Sequence, residues 1–200
     1  MSSEPGDLSD LGTVVVLSGP SGVGKTTVAN RLLSLGLPIR RVVTTTTRPP
    51  RPGEVHGVDY YFFSNPEFDA ALKAGEFLEW AEVHGRRYGT RLGSVREAAR
   101  GCLGVLLVID VQGAEQVRER LAGTHSVFLL PPSEETLVER IRGRQSETEE
   151  SLKRRLESAR EEIPRSGLYD YCVVNEDLDR TVSMLGSHLM ALLGLENRSS

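Results

Sequence analysis

A short stretch near the start of the chain, residues 19–26, has the residue types and the spacing of a phosphate-binding loop. Gly19 and Gly24 bracket four residues, and Lys25 and Thr26 follow directly. Glycines let backbone N–H groups close around phosphate oxygens, where a side chain would block the approach. A lysine at this position reaches the β- and γ-phosphates of a nucleotide, and the threonine hydroxyl coordinates Mg²⁺. The stretch therefore predicts a site for a nucleoside triphosphate with magnesium.

The elements expected around this loop agree with that prediction. The apolar run 14–17 predicts a strand before the loop, and residues 27–33 predict a helix after it. A helix start presents unpaired N–H groups and the positive end of its dipole to an anion. An ordinary strand-to-helix turn is the alternative, although such a turn does not need every position of the motif to be filled.

A proline-rich segment, residues 44–54, could form a second anion site. Prolines at positions 49, 50 and 52 exclude a helix and favour an extended, polyproline-like path. Because such a path repeats every three residues, Arg48 and Arg51 are expected to project from the same side. Two guanidinium groups on one stiff edge can clamp a phosphate. The alternative is a proline-rich loop with both arginines in solvent.

A single carboxylate interrupts the apolar face of a strand predicted at residues 76–84. By two-residue alternation, the residues that share this face are Phe77, Glu79, Ala81 and Val83. A carboxylate buried there needs a hydrogen-bonding partner. That partner is either structural, such as a nearby arginine, or a ligand that binds against the strand.

The clearest buried strand of the chain is predicted at residues 103–110, and it ends in Asp110. Open α/β sheets place their ligands at this carboxyl edge. An acid there also matches the second acidic motif of nucleotide-hydrolysing loop proteins, whose Asp helps to hold Mg²⁺. Thr26 and Asp110 are therefore the two candidate metal-ligating residues.

Residues 86–90 predict a turn or loop with hydroxyl groups and positive charge.

Two charged helices follow, and arginines are their common feature. The first carries Arg140, Arg142 and Arg144, and the second includes Arg154 and Arg155. Neither helix shows an obvious core face, which suits a mobile cover over a nucleotide with arginines that meet the transferring phosphates. The alternative is a pair of exposed helices stabilised by Glu–Arg pairs.

Composition limits the classes of protein to which the chain can belong. Its 200 residues, 38% hydrophobic and 26% charged, predict one globular domain with a substantial core. The formal net charge of −4 argues against a general nucleic-acid binder, whose surface would be basic. Because no signal peptide, lipidation motif or long apolar run is evident, we expect a cytoplasmic protein with no membrane partner. The polar, acidic residues 1–10 predict a disordered tail, and the oligomeric state is left open.

Taken together, these motifs resemble the guanylate kinase family, in order, from about residue 13 to residue 193. The specific segments, with x for any residue, are Thr46-Thr47-Arg48-x-x-Arg51-x-x-Glu54-x-x-Gly57-x-x-Tyr60, Glu79-Trp80-Ala81, Tyr88-Gly89-Thr90, Asp110-x-Gln112-Gly113 and Arg140-x-x-Gly143-Arg144. The resemblance implies an α/β P-loop kinase fold of three layers, with a central parallel sheet, a small mixed GMP-binding insertion and a helical lid. The implied single domain has a core of residues 12–41, 92–138 and 158–195, an insertion of 42–91 and a lid of 139–157, with tails of 1–11 and 196–200.

The resemblance also implies a role for each candidate residue. ATP would be bound by the loop and a distant asparagine: Gly19, Pro20, Ser21, Gly22, Val23, Gly24, Lys25, Thr26, Thr27 and Asn175. GMP would be bound through its phosphate by Arg48, Arg51, Tyr60 and Tyr88, and through its base by Thr44, Glu79, Thr90 and Asp110. Phosphoryl transfer would depend on Lys25, Arg48, Arg140, Arg144 and Arg155, with Mg²⁺ at Thr26 and Asp110; for Asp110, contact with the base and ligation of Mg²⁺ are alternatives.

The implied activity is ATP-dependent phosphorylation of GMP, and also of dGMP, to the diphosphate. Guanine suits the residues because a carboxylate such as Glu79 can accept from its N1–H and its N2 amine, and adenine has neither. Hydroxyl donors for O6 are available in Thr44 and Thr90. A kinase for another nucleoside monophosphate and a non-catalytic guanylate-kinase-like binding module are the alternatives. The chain departs from the family pattern at Val108, where an acid is common, and at Thr44, where serine is common.

Overall fold

The computed structural model describes residues 11–143 and 149–195. The strands in these two ranges are β1 (Thr13–Ser18), β2 (Ile39–Arg41), β3 (Thr45–Thr46), β4 (Tyr61–Phe62), β5 (Phe77–Val83), β6 (Arg86–Arg91), β7 (Gly104–Val108), β8 (His125–Leu130) and β9 (Tyr171–Val174). The α-helices are α1 (Lys25–Leu33), α2 (Asn65–Lys73), α3 (Leu92–Ala99), α4 (Val111–Arg120), α5 (Glu134–Arg142), α6 (Glu149–Glu162) and α7 (Leu178–Leu192). The tail predicted at residues 1–10, the last five residues and Arg144 lie outside the described residues.

Five strands form a parallel sheet in the order β2-β7-β1-β8-β9. β1 lies in the middle, between β7 and β8, so the loop that follows it opens at the carboxyl edge between two neighbouring strand ends. The predicted α/β fold with a central parallel sheet is confirmed. None of the helices within 11–143 and 149–195 combines the length and the apolar character that crossing a bilayer requires.

Side chains of the central strand alternate between two apolar clusters, one on each face of the sheet. Val14 and Val16 pack in the cluster that contains residues of α3 and α4. Val15 and Leu17 pack in the cluster that contains residues of α1 and α7. Because both faces of β1 are covered, its sequence is continuously apolar rather than alternating. Helices, sheet and helices therefore form three layers.

A second, mixed sheet has the order β4-β3-β6-β5 and draws its strands from residues 45–91. The prediction of a turn or loop at residues 86–90 is wrong, because these residues belong to β6, which pairs with both β3 and β5. His84 and Gly85 both have positive φ, 50° and 72°, as a tight hairpin turn requires. The polar strand is thus specified by its turn and by its two neighbours rather than by its own pattern.

Helices α5 and α6 have an apolar contact that the sequence analysis did not find. Leu137 and Ile141 of α5 are buried together with Leu152 and Ala159 of α6. The expectation that these charged helices have no core face is therefore wrong. Each helix contributes only a few apolar residues, and charged residues between them obscure the spacing of four and seven positions that places them on one face.

The centre of β8 offers a test of the core. Phe128 is fully buried and packs edge-on against Tyr169, with ring centroids 4.9 Å apart. We expect Phe128→Ala to lower the free energy of unfolding by about 3–5 kcal/mol, because removal of a fully buried ring loses its apolar contacts and leaves a cavity in the core. Urea unfolding followed by circular dichroism measures this loss. Met184→Ala, on the exposed side of α7, is the control and should change stability by less than about 1 kcal/mol. Similar losses in both variants would contradict this assignment of the core.

Candidate active site

A cleft of about 250 Å³ lies at the carboxyl ends of β1 and β7 and extends to the second sheet. The sequence-predicted residues that line it are Gly19, Ser21, Gly22, Gly24, Lys25, Thr26, Thr27, Thr44, Arg48, Arg51, Tyr60, Glu79, Tyr88, Asp110 and Arg155. A wider surface depression of about 540 Å³, between Ala74 and Arg100, has none of these residues on its walls. We place the candidate site in the smaller cleft, because the phosphate loop and the isolated carboxylate meet there.

The loop between β1 and α1 has a backbone that side chains would not permit. Gly19, Gly22 and Gly24 have φ values of 140°, 90° and 105°, in the region that favours glycine. A Cβ on Gly19 would lie 2.4 Å from the carbonyl oxygen of Leu129, and one on Gly24 would lie 2.7 Å from Nδ2 of Asn175. The glycines are therefore required by packing on the outer side of the loop as well as by its conformation.

Lys25 begins α1, and its side chain folds back over the loop. Its Nζ donates to the carbonyl oxygens of Gly19, at 2.6 Å, and Pro20, at 3.1 Å. Thr26 and Thr27 follow in the first turn and are exposed. The positive charge, the first-turn N–H groups and the two hydroxyls thus lie at one end of the cleft, an arrangement that binds polyphosphate anions.

The predicted partners of ATP beyond the loop fall on two sides of it. Arg155 of α6 faces the cleft, and its Nη1 donates to Oγ of Ser21 at 2.8 Å. Arg140 lies behind the loop, where its guanidinium donates to the carbonyl oxygens of Val23, at 3.2 Å, and Asn175, at 2.8 Å. Nδ2 of Asn175 also donates to Val23 O, at 2.8 Å. Neither Arg140 nor Asn175 lines the cleft, and their predicted contacts with ATP stay predictions.

Arg48 is held in place by an acid from its own segment. Its Nη2 donates to both carboxylate oxygens of Glu54, at 2.7 and 2.9 Å, and the Arg51 N–H donates to Glu54 Oε2 at 2.7 Å. Burial acts to raise the pKa of Glu54, but these bonds outweigh it and the pKa is lowered. The guanidinium lies 5.4 Å from the ring centre of Tyr60, and only 13% of the side chain is exposed. Arg48 is therefore packed rather than solvated.

Glu79 is a buried carboxyl group that lines the same cleft. It is 2% exposed and accepts a hydrogen bond of 2.5 Å from Oγ1 of Thr90. Burial raises the pKa of Glu79 to about 8; the Thr90 bond opposes this effect, and the negative charge of Asp110 adds to it. The nearby Arg120 donates instead to carbonyl oxygens of β5. The structural partner of Glu79 is thus a hydroxyl group, not an arginine.

Comparison with known proteins agrees with this geometry. A family model described as guanylate kinase matches residues 12–192. The guanylate kinase of Geobacter sulfurreducens is 45% identical over 180 residues, which are 90% of this chain and 89% of the relative. That of Symbiobacterium thermophilum is 49% identical over 180 residues, with shares of 90% and 85%. The chain belongs to the guanylate kinase family. A crystal structure of guanylate kinase from Anaplasma phagocytophilum has a TM-score of 0.76 at 38% identity, covering 92% of this chain and 87% of the other.

Some residues of the cleft were not predicted from the family resemblance. Residues without an assigned role that line it are Val83, His84, Arg86, Val108, Ile109 and Glu162. Glu162 is the last residue of α6, and burial raises its pKa to about 7; the charge of Lys25 opposes the shift and that of Asp110 adds to it. Nothing local marks it among the many glutamates of that helix. His84 and Arg86, at the tip of the hairpin between β5 and β6, could have been found from the turn that His84 and Gly85 form.

The residues present fit a magnesium ion that arrives with a nucleotide. Within the described ranges, no group of three or more His, Cys, Asp or Glu side chains could hold a metal. Mg²⁺ needs only one or two protein groups when substrate phosphates supply further ligands. Thr26 and Asp110 line the same cleft, and the bonds that Asp110 accepts from Gln112 N and Gly113 N both end on Oδ1. Thr26 and Asp110 could thus supply oxygen ligands to an ion that arrives with the nucleotide phosphates.

The raised pKa of Glu79 makes the stability of this guanylate kinase family member depend on pH. The unfolded chain releases the Glu79 proton near pH 4.5, whereas the folded protein keeps it up to about pH 8. The contribution of Glu79 to the free energy of unfolding is therefore fully present below pH 4.5 and is lost as pH rises through about 8. We expect Glu79→Gln to reduce the loss between pH 5 and pH 8 by about 3 kcal/mol, measured by urea unfolding without nucleotide.

Two further variants calibrate this measurement. Glu162→Gln should also reduce the loss of unfolding free energy between pH 5 and pH 8, because the pKa of Glu162 is raised to about 7. Glu82→Gln, exposed on the same strand as Glu79, should leave the decline unchanged. Parallel curves for the wild type and Glu79→Gln would show that Glu79 is ionised in the folded protein at neutral pH, contrary to this account.

Proposed function

We propose that the chain acts as a guanylate kinase, which transfers the γ-phosphoryl group of ATP to the phosphate of GMP and releases ADP and GDP. The observation that carries this proposal is one cleft with a phosphate loop at one end and Arg48 and Glu79 at the other. Two nucleotides bound there meet through their phosphates. The family match and the curated relatives support ATP as donor and GMP as acceptor. We include dGMP as an acceptor, because the residues assigned to GMP contact its phosphate and its base and not the 2′-hydroxyl.

ATP is bound at the loop in this proposal. The first-turn N–H groups of α1 and the end of its dipole face the phosphates. Lys25 leaves its carbonyl partners, Gly19 O and Pro20 O, for the β- and γ-phosphates when the nucleotide enters. Arg155, which reaches Ser21 across the loop, neutralises charge from the opposite side. In the position that Arg140 occupies in the structure, its action on ATP is indirect, because its bond to Val23 O supports the loop from behind.

GMP is bound at the second sheet. Arg48, oriented by Glu54, and the neighbouring Arg51 face the GMP phosphate together with Tyr60 and Tyr88, all of which line the cleft. Glu79, which keeps its proton in the free protein at neutral pH, releases it on binding and then accepts from N1–H and the N2 amine of guanine. Because the carboxyl group is buried with one hydroxyl partner, a base without these donors leaves it unsatisfied, which disfavours that base strongly. Thr44, Thr90 and Asp110 complete the predicted base contacts.

Phosphoryl transfer by these residues needs neither a covalent intermediate nor a strong general base, because the GMP phosphate is already an anionic nucleophile. The chain contributes in-line positioning and charge neutralisation by Lys25, Arg155 and Arg48. Thr26 would hold Mg²⁺ together with the nucleotide phosphates, and Asp110 would join it if this carboxylate serves the ion rather than the base; the ion would supply charge stabilisation for the ATP phosphates. Helices α5 and α6 exclude water, which would otherwise compete with GMP. The cytoplasmic location stays a prediction.

Turnover of several nucleotides by one preparation distinguishes the candidate functions. ADP release in a coupled assay with ATP and magnesium should be fastest with GMP, followed by dGMP and IMP, and very slow with AMP and UMP. Fastest turnover of AMP or UMP would favour a kinase for another nucleoside monophosphate. Folded protein that binds GMP but releases no ADP would favour a non-catalytic binding module.

Lys25 provides the first variant that tests the division of roles. We expect Lys25→Ala to reduce kcat by roughly 10²–10³-fold, because a positive charge that stabilises the transferring phosphate is lost. The Kd of GMP, measured by calorimetry, should change less than threefold, since Lys25 lies at the other end of the cleft. Lys73→Ala, on the exposed end of α2, is the matched control and should retain wild-type turnover. A fall in GMP affinity as large as the fall in kcat would contradict this division.

Glu79 provides the second variant. Glu79→Gln replaces an acceptor by a group with one acceptor oxygen and an amide donor, which opposes the donors of guanine. The Kd of GMP should rise about 10- to 100-fold, while the Kd of ATP stays within twofold. Calorimetric titrations with each nucleotide measure both values, and Glu82→Gln is the exposed control on the same strand. Equal losses for the two nucleotides would remove Glu79 from base recognition.

A further inference from the structure

Gly113, in the first turn of α4, lies directly against the carboxyl group of Glu79. A Cβ built on Gly113 would lie 2.4 Å from Oε2 and 3.0 Å from Cδ of Glu79. Distances below 3.0 Å are not seen for real Cβ atoms, so one of the two groups would have to move. Helical backbone at this position is open to any residue, and glycine destabilises a helix relative to alanine. The backbone conformation therefore does not explain the glycine, but the space it leaves for Glu79 does.

Helix and strand cannot separate easily to make room for a side chain at position 113. Gln116, one turn further along α4, accepts from the Trp80 N–H at 3.2 Å and donates to Trp80 O at 2.7 Å. Arg120, a further turn along, donates to Leu78 O at 2.6 Å. These bonds tie α4 to β5 on both sides of Glu79. A methyl group at position 113 would therefore displace the carboxyl group rather than the helix.

We propose that Gly113 is a positioning residue for guanine recognition, because the absence of a side chain at this position lets Glu79 occupy the place from which it contacts the base. This inference rests on the proposed function. Displacement would break the 2.5 Å bond from Thr90 and move both carboxylate oxygens away from the base. The Gly113 N–H bond to Asp110 Oδ1 would survive an alanine, since it uses the backbone. The three atoms nearest to an added Cβ belong to Glu79 and Ile109 rather than to the phosphate loop or Arg48.

Gly113→Ala should therefore act on the base and leave the phosphates alone. We expect the KM of GMP to rise about 10- to 100-fold with kcat changed less than threefold, because hydrogen bonds to the carboxylate are lost. The preference for GMP over IMP, which lacks the N2 amine, should fall about tenfold. The Kd of ATP should stay within twofold. Gly93→Ala is the matched control: Gly93 is also in the first turn of a helix, and a Cβ there meets nothing within 4 Å.

A second substitution at Glu79 separates displacement of the carboxylate from general damage to the helix. Asp is one methylene shorter and clears a methyl group at position 113. In the Glu79→Asp background, Gly113→Ala should raise the KM of GMP less than threefold further, so the two changes are strongly non-additive. If Gly113→Ala alone fails to fold, the pair with Glu79→Asp should fold as Glu79→Asp does. A full additional loss in the Glu79→Asp background, or failure of the pair to fold, would overturn the inference.

The controls distinguish this inference from the proposed function. Wild-type protein that never converts GMP to GDP contradicts the proposed function whatever the variants do. Wild-type activity with a Gly113→Ala variant whose KM for GMP and whose GMP-to-IMP preference are both within twofold of wild type contradicts the role of Gly113 alone. A rise in the KM of GMP with an equal rise for IMP would also overturn it, because displacement of Glu79 must affect the base with the extra donor more.

Discussion

The shape of the phosphate loop is held by contacts on its outer side, and most of the site is arranged around that constraint. Gly22 adjoins α5 so closely that a Cβ there would lie 2.6 Å from Cγ1 of Ile141. Arg140 and Asn175 both donate to Val23 O, so the loop is bonded from behind by α5 and by the exit of β9. Its N–H groups are therefore oriented before any anion arrives, and a preorganised loop does not have to reorganise during the reaction.

The contact between α5 and the loop gives the arginine-rich helices a structural role at the ATP site. Helix α5 is packed on the loop and shares a small apolar cluster with α6. Two of their arginines lie on opposite sides of the loop, Arg140 behind it and Arg155 in front of it. One pair of helices can thus hold the ATP site in shape and also contribute a charge to it.

The other end of the cleft depends on a carboxyl group that the protein leaves incompletely paired. Glu79 is almost fully buried, and Arg120 is bonded to strand carbonyls rather than to it. Burial without a cation is unfavourable for the charged form, and a ligand with two adjacent donors relieves that cost where a ligand without them does not. The burial of Glu79 therefore accounts both for recognition of the base and for the unfavourable free energy of the charged carboxylate in the free protein. Position 113 matters for the same reason, since a buried group of this kind tolerates little displacement.

Local sequence determined the phosphate loop, the apolar strands on both sides of it and the isolated acid of β5, because spacing along the chain specifies each of them. The spacing of Gly19 and Gly24 and the apolar run of β1 can be recognised from neighbouring residues, so these predictions could be made without a fold. Tertiary structure alone decided that the polar residues 86–91 form a strand, that Arg140 faces away from the cleft, and that Glu162 faces into it. Each of these depends on a partner far away in the chain: a strand that pairs, a carbonyl that accepts, or a helix end that meets the cleft. Such partners leave no periodic signal in the residues themselves, so only the packed chain could reveal them.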